Sequence, residues 1–152
     1  MKEIVLQKFP AIAGQLGVTK LSPPEAQAIV GLSRLAIDAD RTVDGDELDL
    51  YDDLADLICE LAGADADEVV EAEDRKPRGD DDRIARIADG AGKLTTTSVR
   101  ELGYAVAFIL TISDLAIQPD EDAYLAQLQD ALVISDERQG EIAAIVSNAI
   151  AQ

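Results

Sequence analysis

The chain has no histidine, no tryptophan and a single cysteine, and aromatic residues make up only 3% of it. Without histidine there is no Ser-His-Asp or Cys-His catalysis and no imidazole-ligated metal. Ferritin-like di-iron sites, which need Glu-x-x-His pairs, fall with them. Cys59 alone makes no intrachain disulfide and no CxxC redox pair; within its apolar helical stretch it reads as a small core hydrophobe. No P-loop or GxGxxG occurs. The nearest thing, Gly90-Ala91-Gly92, follows a short helical pattern rather than a strand and reads as a helix stop. The longest largely apolar run, Tyr104 to Ile112, is about half of what a membrane span needs. The first residues, Met1 to Lys8, contain no signal-peptide h-region, so the expected compartment is the cytoplasm.

Positive charge is also scarce. Thirteen Lys and Arg face 31 Asp and Glu, for a net charge of −18. Such a surface repels nucleic acid and anionic membranes and points to a protein partner, a basic one if the acidic face is what it offers. The excess is concentrated: residues 38–82 hold 19 acidic and four basic groups. A run like this is first of all a solvated face, and Arg75-Lys76-Pro77-Arg78-Gly79 within it reads as a solvated loop. Asp outnumbers Glu by 20 to 11. That ratio suits a salt-adapted proteome, and it also supplies helix caps and hard-cation ligands.

What is present is aliphatic and helical. With 152 residues and 47% hydrophobic content, one domain with a sizeable core is expected. Ser22-Pro23-Pro24-Glu25 is a capping box opening a helix to about Asp38 that is apolar almost all round, hence central. Asp44-Gly45-Asp46-Glu47 starts an amphipathic helix. Leu50, Tyr51, Leu54, Leu57, Ile58 and Leu61 form its stripe, while Asp49, Asp52, Asp53, Asp56 and Glu60 face away. A short acidic helix at about 67–73 and another from Asp80, ended by Gly90, follow. Lys93-Leu94-Thr95 opens a long helix to Ile112. Gln118-Pro119 opens one with Tyr124, Leu125, Leu128 and Leu132 on its face. Ser135 caps the last, with Ile142, Ile145, Val146 and Ile150 inward. Glu3 to Lys8 form a helix that stops near Pro10. The expectation is all-α, with seven to eight helices and no sheet.

A shift of 74 overlays the two halves. Asp40 meets Asp114 and Glu47 meets Glu121. Leu50, Tyr51, Leu54 and Ile58 meet Tyr124, Leu125, Leu128 and Leu132. Each half is an apolar helix, a turn carrying Asp, and an amphipathic helix with Glu in its first turn. Two such hairpins can bury their central helices against each other about a pseudo-twofold axis. Repeat one spans about 20–63 and repeat two about 93–150, joined by helices over about 64–92.

At these residues the chain resembles the TerB-like (tellurite-resistance) family over roughly residues 20–150. The family's half-repeat ends an apolar helix in small-Asp-Gly. A hydrophobic residue follows three after the Asp, then a cap, then a Glu seven after the Asp. Ala39-Asp40, Val43, Asp44 and Glu47 make the first copy; Ser113-Asp114, Ile117, Gln118 and Glu121 make the second. Arg41 and Leu115 replace the family's glycine. The resemblance implies an all-α fold, a metal site built from acidic residues of both repeats, and an association with tellurite and stress responses.

Asp40, Asp44, Glu47, Asp114 and Glu121 are accordingly the candidate metal ligands, with Asp38 close by. Carboxylates brought together raise one another's pKa unless a cation neutralises them. Oxygen ligands alone suit Ca²⁺, Mg²⁺ or Mn²⁺, and Zn²⁺ less well. Capping by itself accounts for Asp44, Glu47 and Glu121, and for Asp40 and Asp114 less well. An EF-hand starting at Asp40 puts Gly45 correctly at position six but Tyr51 where the bidentate Glu belongs, so that loop is excluded. No catalytic constellation is marked. Three functions stand open: an ion-dependent TerB-like sensing or interaction domain, an adaptor whose acidic face recruits a basic protein, and a metal-dependent hydrolase.

Overall fold

A computed structural model describes residues 2–39, 45–76, 80–112 and 119–151. Over these the helical periodicity becomes eight α-helices and no strand: α1 (Lys2–Gln15), α2 (Pro23–Ala39), α3 (Gly45–Ala62), α4 (Ala66–Asp74), α5 (Asp80–Lys93), α6 (Thr97–Ile112), α7 (Pro119–Ala131) and α8 (Asp136–Ala151). No helix among the described residues is long and apolar enough to cross a membrane.

Local chemistry sets the ends. The capping box forms as its sequence dictates: Ser22 N–H donates to Glu25 Oε1 (2.9 Å) and Glu25 N–H to Ser22 Oγ (3.3 Å). Ser135 Oγ accepts from Arg138 N–H at 3.1 Å at the start of α8. Three helices end in the same Schellman geometry, with i→i−5 bonds from Val18 to Ala13, Ala64 to Cys59 and Ile134 to Gln129. The left-handed residue is Gly17 in the first and Gly63 in the second, but Val133 in the third, at φ 57°. A β-branched side chain is a poor occupant of that region.

α2 is the centre. Ala26, Ile29, Val30, Leu32, Leu35, Ala36 and Ile37 are each at most 6% exposed. The helix packs against α3, α4, α5, α6 and α7, while α1 and α8 pack on each other. Close approach is bought by glycine where α5 and α6 meet this centre. A Cβ on Gly90 would stand 3.1 Å from Leu32, and one on Gly103 3.1 Å from Leu94 and 3.8 Å from Ile29. The Tyr124 hydroxyl reaches from α7 to donate to the Leu32 carbonyl at 2.6 Å. Leu50, Tyr51, Leu54, Ile58 and Cys59 are buried as their spacing requires.

Three boundaries differ from the sequence reading. α1 continues through Pro10 to Gln15. Val5, Phe9, Ile12, Ala13 and Leu16 form one buried stripe across the proline, and their burial outweighs the lost bond. α5 continues through Gly90, which is buried and serves helix contact rather than termination. α6 starts at Thr97, one residue later than a Thr95 cap would set it, because Thr96 caps it, accepting from Val99 N–H at 3.4 Å.

Val133 is 78% exposed, so its side chain contributes little packing. Val133→Gly is expected to stabilise the protein by about 1 kcal/mol through release of left-handed strain. Urea unfolding checks this through an increased midpoint at unchanged slope.

Candidate functional site

α4 begins when the Asp65 carboxylate caps the Asp67 N–H at 3.0 Å. Its half-buried face carries Ala66, Val69 and Val70, and the next position on that face is Glu73. Glu73 is 1% exposed. Its carboxylate accepts from Lys76 Nζ at 2.8 Å and from Arg86 Nη2 of α5 at 3.0 Å. A buried carboxylate needs such partners, because desolvation without them costs several kcal/mol. It also needs room. Gly31 supplies it: a Cβ there would lie 2.9 Å from Glu73 Oε2 and 3.1 Å from Oε1.

This ion-paired carboxylate sits at one end of a cavity of about 350 Å³ between α2 and α5. Ala28, Leu32 and Leu35 give it an apolar wall, and Gln27, Arg86 and Lys93 add polar groups. None of its lining residues is a serine, threonine or cysteine. Besides the pairs on Glu73, Lys93 Nζ lies 3.4 Å from Asp89. An apolar wall with a few polar groups is the general make-up of a binding cleft.

A second polar knot ties α2 to α3 and α4. Arg34 Nε donates to Asp38 Oδ1 at 3.3 Å, Arg34 Nη1 lies 3.2 Å from Asp74, and the guanidinium stands over the Tyr51 ring, 5.6 Å from its centroid. Burial pushes the Tyr51 hydroxyl well above its ordinary pKa. Arg34 opposes the shift, and Glu73, Asp74 and Asp52 add to it. Burial likewise holds Tyr124 protonated, as its hydrogen bond to Leu32 requires.

The metal ligands expected from the sequence are not brought into this site by anything the described residues show. Asp40, Asp44 and Asp114 lie outside the described residues, as do the side chains of Glu47 and Glu121. The backbones of Glu47 and Glu121 are described: each is the third residue of its helix, α3 and α7. Asp38 is described, and its Oδ1 is taken by Arg34. Among the described residues no group of three or more Cys, Asp or Glu side chains is placed to hold a metal ion. The sequence reading missed Glu73, although a glutamate on the apolar face of a short helix is itself the signal. It missed Gly31 and Arg86 because their roles depend on helix packing. Lys76, read as part of a solvated loop, instead pairs with the buried carboxylate.

Compared with protein-family models, with curated proteins and with solved structures, the chain matches none.

Gly31→Ala is expected to destabilise the fold by about 1–3 kcal/mol, because Glu73 is pinned and cannot retreat. In a Glu73→Ala background the same change becomes neutral or stabilising, since alanine is the better helix former. A double-mutant cycle by urea unfolding reads the coupling; additive effects would show that the two residues do not constrain each other.

Proposed function

We propose that this chain is a cytoplasmic, non-catalytic acidic domain of the TerB-like kind, binding a divalent cation and acting in stress or tellurite-resistance-type sensing or interaction. The repeat supports the family reading. α6 starts at Thr97, 74 residues after α2 starts at Pro23, and α3 and α7 start at Gly45 and Pro119, again 74 apart. α2 and α6 pack directly against each other, as paired central helices require.

One observation carries the cation reading. Asp38, in the last turn of α2, has its Oδ2 buried with no hydrogen-bond partner among the described residues. A buried carboxylate oxygen without a donor is unfavourable, and a hard cation resolves it. Asp38 stands two residues before Asp40 in the chain. Asp40, Asp44, Glu47, Asp114 and Glu121 are the proposed ligands, with Ca²⁺, Mg²⁺ or Mn²⁺ favoured over Zn²⁺.

Thermal melts of EDTA-stripped protein, with each ion added back, test this beside an Asp40→Asn/Asp114→Asn variant. An ion at a hundred times its dissociation constant is expected to add about 2.7 kcal/mol to the wild type and little to the variant. Equal responses, or none, would remove the cation from the reading.

A second reading, recruitment of a basic protein, rests on the outer face of α3 and α4. Asp49, Asp52, Asp56 and Glu60 of α3 and Asp67, Glu68 and Glu71 of α4 are exposed, and neither helix contains a lysine or arginine. Partial burial first, then the charges of Asp74, Asp49 and Asp53, raise the Asp52 pKa above its ordinary 3.8. The folded state therefore holds this proton more tightly than the unfolded chain does. Ionised Asp52 costs stability above its folded pKa, and the cost vanishes as pH falls below the ordinary value. Asp52→Asn is expected to stabilise the fold at pH 7 by under about 0.5 kcal/mol given solvent screening, read as a small rise in melting temperature. The gain should disappear at pH 3. A gain that persists there would mean that the charge is not its source.

A further inference from the structure

A second cavity, of about 250 Å³, lies apart from the Glu73 cleft, and its lining includes Thr97, Arg100, Glu101, Val133, Ser135 and Arg138. Its lining is far less acidic than the molecule as a whole. Two arginines line it with one carboxylate, Glu101, in a protein of net charge −18.

The carboxylate is already neutralised. Arg138 grips it in a two-pronged pair, Nε to Oε2 at 2.7 Å and Nη2 to Oε1 at 2.9 Å, and spends its remaining Nη1 on Glu141 at 2.6 Å. Those hydrogen bonds, to Glu101 first and then Glu141, hold Arg138 firmly charged. Glu101 is 6% exposed, so this pair is a fixed wall of the cavity.

Arg100 is different. Its Nε donates to the Leu94 carbonyl at 2.6 Å, which anchors the side chain. Its terminal amino groups make no hydrogen bond or ion pair with the described residues. An anchored, half-buried guanidinium with both prongs unspent is a ready partner for an oxyanion. Two hydroxyls, Thr97 and Ser135, complete the donor set. They stand at the starts of α6 and α8, where helix dipoles add favourable potential for negative charge. Asp136, beside Ser135, accepts from Gln129 Nε2 at 2.8 Å. On the rim Val133 stands 78% exposed, offering apolar contact to whatever the anion is attached to.

We infer that this cavity binds the phosphate group of a small phosphomonoester with an aliphatic body, Arg100 taking the phosphate oxygens and Val133 touching the aliphatic part. The sites differ in charge and in elements, so this inference is independent of the cation reading.

The test is calorimetric titration of the intact protein at fixed ionic strength with butyl phosphate, inorganic phosphate and butyrate. Butyl phosphate is expected to bind with a dissociation constant of about 1 mM or tighter, and more tightly than either other probe. Arg100→Gln should weaken it by at least about tenfold, the scale of one lost charge-assisted pair. Arg100→Lys, which keeps the charge and loses the fork, should fall between. Arg75→Gln, at an exposed arginine outside the cavity, should bind as wild type does. Melting curves confirm that each variant is folded at the titration temperature. No binding to wild type, equal binding to Arg100→Gln, or equal loss in Arg75→Gln overturns the inference. Butyrate binding as tightly as butyl phosphate overturns the phosphate assignment.

Discussion

α2 is buried over most of its surface, with only Gln27, Arg34 and Asp38 half-buried beyond its first turn, and most of the structure answers to that. A helix so enclosed must be met at close quarters by whatever surrounds it. α5 presents Gly90 to Leu32, and α6 presents Gly103 towards Ile29. α7 sends the Tyr124 hydroxyl to the Leu32 carbonyl. α4 places Glu73 where Gly31 has no side chain. A single methyl at one of these positions would meet a neighbour, because interiors packed at crystal density have no slack to absorb it.

Charge is handled by separation. Of 31 acidic residues, only Glu73 and Glu101 are buried among the described residues. Each is met by an arginine from another helix, Arg86 of α5 and Arg138 of α8. These two pairs fix how α4 meets α5 and how α6 meets α8, since a partner moved away would leave an ion stranded in a low dielectric. The other described acids lie largely on outer faces, above all on α3 and α4. There repulsion is screened by water, and it is available to a cation or a basic partner.

The two cavities divide the chemistry accordingly. The larger one holds charges that satisfy each other around Glu73. The smaller one keeps an arginine in reserve. The Oδ2 of Asp38, buried with no hydrogen-bond partner among the described residues, is a third loose end. None of these three features lies in the acidic composition as such. All arise where burial removes water from a polar group and the fold supplies either a partner or none.

How much was legible follows from the range of each interaction. Capping boxes, stripes and Schellman ends involve residues within five positions, so the sequence alone determined the all-α class and most helix positions. The capping box at Ser22, the Leu50–Ile58 stripe and the buried Cys59 are examples. The helix starts at Pro23, Gly45 and Pro119 were equally legible, because each needs only local signals; the start at Thr97 was placed too early. Pro10 and Gly90 were misread because their local propensity is overruled by contacts to distant elements, α1's buried stripe and Leu32 of α2. Glu73 with Arg86 and Glu101 with Arg138 lie 13 and 37 positions apart, and Arg100 is notable only for the partner it lacks. Which charges are buried, which cancel and which stay unspent was decided by tertiary structure alone, since the energy of a charge depends on its distance from water and from other charges, and only the folded chain sets those distances.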